Sequence, residues 1–414
     1  MTGHMRESRS SPVSTRAVSM SSAPPLTARP AVLDLRASRI REVANAAMGR
    51  PDLLAFWFGE PDEVTPDFLR QAAIDSLNAG ETFYSQNLGL PELRAAIAAY
   101  LTRLHGATSA DQIAVTSSGL SALQLTAQAL VGPGERVVEV TPLWPNLVEI
   151  PKILGARVEC VPLQWHAGSW QLDLDRLLTA LTPDTRVLFV NSPNNPTGWT
   201  IDRAAQKTLL EHCRRRGIWL IADDAYERLH YGDGATVAPS FLEIADASDR
   251  LVSTNTFSKS WLMTGWRLGW IRAPEALIAE MPKLIEYNTS CAPVFVQRAG
   301  IVAIEQGEAI IERTRARFRR ARDFLVEQLR EIPGIEVATP QGAMYAFFKV
   351  SGVHDSLALC KHLVGTTGLG LAPGIAFGPE GEGFVRWCFA ANEERLAEGI
   401  ARLRKGLATF PRHA

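Results

Sequence analysis

Lys259 closes the run Ser253–Lys259 (STNTFSK), and Arg267 follows eight residues later in the segment MTGWRLGW. A lysine amine can attack an aldehyde and hold it covalently. The Thr256 and Ser258 hydroxyls beside it suit a phosphate, and the fork of Arg267 can take phosphate oxygens bidentately. A lone lysine is ordinarily a solvated surface charge. One set among these hydroxyls and this arginine, directly after a strand-like run, points to a site. Ser118-Gly119-Leu120 opens a helix-like run whose first backbone amides and dipole form a natural anion cradle, although a short Gly-Ser loop alone is a weak signal. Asp223 and Tyr226 lie in IADDAYERL, after a strongly apolar segment. An acid there suits a protonated ring nitrogen; taken alone, Asp223 could equally cap a helix. Asp224 should face the other way, because successive strand residues alternate. Asn195, in the rigid turn SPNNPTG, offers an amide donor. Trp144, in TPLWPN, offers a flat ring face, or else fills a core or a lid.

Together these groups match the requirements of a pyridoxal 5′-phosphate (PLP) site. That cofactor needs a lysine at its aldehyde and a carboxylate at its pyridine nitrogen, which keeps the ring an electron sink. It also needs donors for its phosphate and ring hydroxyl, and a flat side chain against the ring. Lys259, Asp223, Asn195 and Trp144 fill four of these roles. Ser118, Gly119, Leu120, Thr256, Ser258 and Arg267 are the phosphate group of the set.

From about residue 65 the chain alternates between two periodicities. Helical spacing runs over Asp67–Ala79, Leu93–Leu104, Gly119–Leu130 and Ala204–Arg216. Short strand-like runs lie at Gln112–Thr116, Arg136–Val140, Arg157–Val161, Val187–Val190, Trp219–Ala222 and Leu251–Asn255. This predicts an α/β fold, with a mostly parallel seven-stranded sheet between helices. Ligands of such sheets sit beyond the carboxyl ends of the strands, where nearly every polar cluster above falls. After Pro293 the pattern changes. A long helix, Val294–Glu331, breaks near Gly307; strands follow at Ile335–Ala338, Ala346–Val350 and Phe384–Phe389, then a closing helix at Glu393–Ala408. The expected division is a disordered tail at 1–28, a large PLP-binding domain at 61–295, and a smaller discontinuous α+β domain built from 29–60 and 296–414.

The tail is rich in Ser, Arg and Pro without apolar periodicity, and reads as floppy, or as residues ahead of a start at Met20, rather than as a targeting signal. Lys plus Arg is 43 and Asp plus Glu 44, a net charge of -1 that gives nucleic acid or an anionic membrane nothing to hold. No apolar run approaches the roughly 20 residues of a membrane-spanning helix. Five scattered cysteines with no CxxC pair argue against a disulfide framework or a zinc site. They fit free, buried or half-buried thiols in a reducing cytoplasm.

In this order and spacing, SPNNPTG, DDAY, TFSK and GWRLGW resemble the class I/II aminotransferases of PLP fold type I, the aspartate aminotransferase-like family. The resemblance runs from about Ala31 to the C-terminus. It includes Tyr84–Arg94 (YSQNLGLPELR), Gly59–Asp62 (GEPD) and Pro373–Gly378 (PGIAFG). It implies that Lys259 is the Schiff-base lysine, that Asp223 holds the pyridine nitrogen, and that Tyr226 and Asn195 contact the ring oxygen. It assigns Arg267, Ser258, Thr256, Gly119 and Leu120 to the phosphate, and Arg386, in FVRWCF, to the substrate α-carboxylate. Tyr84 would reach the phosphate of the neighbouring subunit, which implies a homodimer with shared active sites. The implied reaction is a ping-pong transfer of an amino group from an L-amino acid to a 2-oxo acid. Two other readings remain: a β-carbon–sulfur lyase or cyclising synthase on the same scaffold, and a non-catalytic PLP-binding sensor. The tail is too short and too polar for the DNA-binding domain that a sensor would add.

Side-chain specificity is read from what is missing. The best-known dicarboxylate specialists bring a second arginine from the neighbouring subunit, and the comparable stretch, Lys283–Gln297, has none. Trp57, Phe58, Trp144 and Trp261 are candidate pocket aromatics beside Gly59, each of which could equally fill the core. The turn Gly342–Tyr345 should border the site. A neutral or apolar substrate side chain is expected, because an acidic one would be desolvated without a partner. Lys283 or an N-terminal arginine such as Arg36 could overturn that.

Overall fold

The computed structural model describes residues 1–2, 27–232 and 234–411, so the tail expectation falls almost wholly outside the described residues. Both faces of the central sheet are covered, and the residues of its inner strands are nearly all buried. The strands are β1 (Ile113–Thr116), β2 (Arg136–Thr141), β3 (Arg157–Pro162), β4 (Thr185–Asn191), β5 (Trp219–Asp223), β6 (Leu251–Thr256) and β7 (Gly269–Arg272). Their order across the sheet is β1-β7-β6-β5-β4-β2-β3. β7 is antiparallel to both neighbours and the other pairs are parallel, the mostly parallel seven-stranded sheet that the sequence predicts. The strand-like runs of the sequence do not include β7 itself. It returns from β6 without a long crossover helix, so it can only pair antiparallel. β3 is an edge strand, and Cys160 on it is exposed, which corrects the expectation of buried or half-buried thiols there.

Gly307 separates the helices Val294–Gln306 and Glu308–Arg330, as the sequence break suggests. A four-stranded antiparallel sheet follows, in the order Ile335–Val337, Tyr345–Val350, Phe384–Cys388, Ala372–Pro373. The helices Ser356–Thr367 and Glu393–Thr409 pack together beside it. Leu54–Ala55 pairs in parallel with Leu369–Gly370, which ties the segment ahead of Gly59 to this C-terminal part. That segment contains a helix absent from the sequence reading, Arg39–Ala46, capped by the Ser38 hydroxyl. Ile40, Val43 and Ala47 recur on its inner face at helical spacing and are buried. Among the described residues, no helix is long and apolar enough to cross a membrane.

Candidate active site

Strand register aligns three neighbouring strands near their carboxyl ends. Asn191 on β4 stands opposite Asp223 on β5, which stands opposite Thr254 on β6. Residues at and just beyond these ends, with others from the start of the chain and from the small sheet, line a cavity of about 480 Å³.

Asp223 is the last residue of β5 and only 7% exposed. The Asn191 amide donates to its Oδ2 at 3.1 Å, and the backbone amide of Ala225 to its Oδ1 at 3.3 Å. Burial pushes its carboxyl up to about 7, against the pull of the Ala225 amide and of Lys259. No helix starts at this point, so the capping alternative falls. Asp224 does face the other way, accepting from the Ser253 hydroxyl at 2.5 Å.

Lys259 is half-buried and donates to the carbonyl of Gly59 at 2.7 Å. Burial lowers its amine to about 8, where an appreciable neutral fraction exists near neutral pH. Tyr226 and Tyr345 share a hydrogen bond of 2.8 Å between hydroxyls, and burial holds the Tyr226 phenol well above its usual range. A Cβ on Gly59 would fall 1.9 Å from the Tyr345 hydroxyl, so only glycine lets this backbone pass.

Arg386 lies on Phe384–Cys388 and is 2% exposed. It donates to Asn195 Oδ1 at 2.8 Å and to the carbonyl of Trp57, and the rings of Tyr345 and Phe377 lie 4.4 and 4.7 Å from its guanidinium. Its Nε has no partner, and among the described residues no carboxylate pairs with it. A buried cation left this way invites an anion, because an uncompensated buried charge is costly. Asn195 meets Arg386 through its oxygen, which leaves its NH₂ for another acceptor.

At the other end of the cavity, Gly119 and Leu120 begin the helix Gly119–Leu130 close against β6. A Cβ on Gly119 would lie 2.8 Å from Thr256 Cβ. Thr256 donates to Ser258 at 2.9 Å, and Arg267 reaches the Ser258 hydroxyl at 3.5 Å and the Thr264 carbonyl at 2.7 Å. Arg267 has a φ of 55°, a left-handed backbone that costs a non-glycine residue about 1 kcal/mol or more. It too lacks a carboxylate partner among the described residues. Amides, hydroxyls and a guanidinium thus converge as a phosphate would require.

The cavity brings together Lys259, Asp223, Tyr226, Asn195, Trp144, Gly119, Leu120, Thr256, Ser258, Arg267, Arg386, Phe58 and Gly59. Other candidates lie elsewhere. The Ser118 hydroxyl caps its helix, accepting from the backbone amide of Ser121 at 2.9 Å, and does not line the cavity. The Trp57 ring packs on Gly370 and edge-on to Phe58, so only its carbonyl serves the site. Trp261 is core, packed among Tyr100, Phe257 and Trp270. Tyr84 is 89% exposed and away from this cavity, and Lys283 pairs with Glu280 on the surface. Sequence reasoning missed Ser38, Ile40, Arg41, Asn146 and Asn191, which also line the cavity. The signal for the first three was the Ser38 cap followed by the spacing of Ile40, Val43 and Ala47.

Fold and cavity together define a fold type I PLP enzyme. The model of the family described as aminotransferase class I and II matches residues 51–403, and the chain belongs to that family. An aspartate aminotransferase of Pyrococcus horikoshii is 33% identical over 380 residues, covering 91% of this chain and 96% of its own. The arginine–pyruvate transaminase of Pseudomonas aeruginosa is 34% identical over 365 residues, covering 88% and 92%. Among solved structures, the Thermus thermophilus aspartate aminotransferase with maleate aligns with a TM-score of 0.85 at 30% identity, covering 92% of this chain and 99% of that one. The chain is a PLP-dependent aminotransferase.

Proposed function

We propose that the chain moves the amino group of an L-amino acid with a neutral or apolar side chain to a 2-oxo acid, in a ping-pong cycle through one cavity. The observation that carries this reading is a set of four charged groups in that cavity: one buried carboxylate, Asp223, one depressed lysine, Lys259, and two guanidiniums, Arg267 and Arg386, that have no carboxylate partner among the described residues. Those groups suit a cationic ring nitrogen, an aldehyde, a phosphate and a substrate carboxylate.

PLP, when bound, supplies the electron sink for the charge left at the substrate Cα. Gly119, Leu120, Thr256, Ser258 and Arg267 would hold its phosphate, Asp223 its ring nitrogen, Asn195 and Tyr226 its ring oxygen, and Trp144 one ring face. Lys259 then works as the base and acid that moves the proton at Cα, a role suited to an amine titrating near 8. Arg386 clamps the α-carboxylate and sets the angle of the breaking Cα–H bond. Phe58 and Trp144 offer apolar surface to the side chain, worth about 0.8 kcal/mol per buried methylene. In this reading the active unit is a cytoplasmic homodimer. Exposed Phe83, Tyr84 and Tyr287 fit a covered face, and Tyr84 would serve the partner's phosphate.

A half-reaction tests the assignment. PLP-loaded protein given a neutral amino acid and no acceptor should release one 2-oxo acid per site and stop until a 2-oxo acid is added. Continuous turnover without an acceptor would instead mark a lyase.

A further inference from the structure

Five charged side chains line the cavity, and the proposed function uses only four of them. The fifth is Arg41, on the first turn of the helix Arg39–Ala46. The carboxylate next to it in sequence, Glu42, is already engaged, accepting from Arg39 at 2.7 Å and from Lys361 at 2.6 Å. Among the described residues, no acceptor meets the Arg41 guanidinium. It lies over the ring of Phe58, 4.7 Å from the centroid. That leaves its N–H donors unspent on a side chain exposed at the cavity.

Three consecutive residues carry three of the cavity's cations. The carbonyl of Trp57 takes Arg386, the ring of Phe58 carries Arg41, and the carbonyl of Gly59 takes Lys259. Residues 57 and 59 can be at most roughly 7 Å apart along an extended chain. Arg41 and Arg386 are therefore held by adjacent residues, and Lys259 by the next one along, all three lining one cavity. A ligand with one carboxylate on Arg386 and its reacting carbon near Lys259 would share this cavity with Arg41.

We propose that Arg41 is a specificity-determining residue that pairs with the distal carboxylate of a dicarboxylic 2-oxo acid, the amino acceptor. The inference rests on the reading above, in which Arg386 takes the α-carboxylate. It also removes the ground on which acidic side chains were set aside, namely that the pocket offers them no partner. Neutral donors and acidic acceptors are compatible here. A guanidinium lying on a phenyl ring presents a flat, weakly hydrated face to an apolar side chain, while its edge keeps bidentate donors for a carboxylate. Because Arg41 is exposed and unpaired, turning it toward a ligand breaks no ion pair.

The test uses the PLP-loaded enzyme with Arg41→Gln and Arg41→Lys, and two readouts. The first is the dissociation constant of glutarate against that of butyrate, followed by cofactor absorbance. The second is the ratio of kcat/KM for 2-oxoglutarate over pyruvate, with one neutral donor. In Arg41→Gln both the glutarate preference and the acceptor ratio should fall tenfold or more, and Arg41→Lys should restore part of each. Two results overturn the inference: ratios unchanged in Arg41→Gln, or losses equal for mono- and dicarboxylates, which would make Arg41 a support of its helix. If the enzyme transaminates no neutral donor, the proposed function fails while the glutarate–butyrate comparison still decides the role of Arg41.

Discussion

Replacing Asp223 by asparagine should make the cofactor-free protein more stable, and increasingly so as pH rises. In the folded chain burial raises this carboxyl from 3.8 to about 7. An acid whose folded value is raised favours the fold only while protonated. Its contribution is complete below about pH 4 and is lost as pH climbs through 7. At about 1.4 kcal/mol per tenfold, the whole rise corresponds to about 4 kcal/mol, of which about 3 kcal/mol falls between pH 5 and pH 8. The amide of the Asp223→Asn variant does not titrate and keeps nearly the same shape. The stability gap between variant and parent, from urea unfolding of the cofactor-free proteins, should therefore widen by about 3 kcal/mol from pH 5 to pH 8. Adding PLP should reverse the order at pH 8, because only the parent offers a carboxylate to the cationic ring nitrogen. A gap that does not change with pH, or a variant that gains as much from PLP as the parent, would refute the assignment of a strained acid awaiting a cationic partner.

Arg386→Ala should weaken every amino acid and 2-oxo acid alike, since all share the α-carboxylate. A charge-assisted bidentate contact is worth about 3 kcal/mol, so kcat/KM should drop roughly a hundredfold across a substrate panel; a loss confined to one side-chain class would contradict the clamp. Mixing the separately inactive Tyr84→Phe and Lys259→Ala proteins should restore activity through hybrid dimers, and a fully active monomer in sedimentation would exclude shared sites.

Most of the large sheet was legible because β2, β4 and β5 carry short buried apolar runs between helical spacings, whereas the four-residue β7 (GWIR) was too short to stand out. The helix Gly119–Leu130 has the same bounds in sequence and structure. Many of the residues that line the cavity were legible for a related reason: they sit within a few residues of strand ends, where this architecture puts ligands. Side-chain direction was not. Trp57 and Phe58 are neighbours, yet one ring packs on Gly370 and the other faces the cavity, a difference set by contacts some 300 residues away. Trp261 looked equally available and is locked among core aromatics. Arg41 was hidden because its helix is short and its role depends on which neighbouring carboxylates are already taken.

The central claim is that Lys259 is the residue that carries the cofactor. Borohydride reduction of the PLP-loaded protein, followed by proteolysis and mass mapping, reads this directly. One reduced cofactor per chain is expected, on the peptide that contains Lys259 and on no other. A tag on a different lysine, or no tag in protein shown to contain bound PLP, would contradict it.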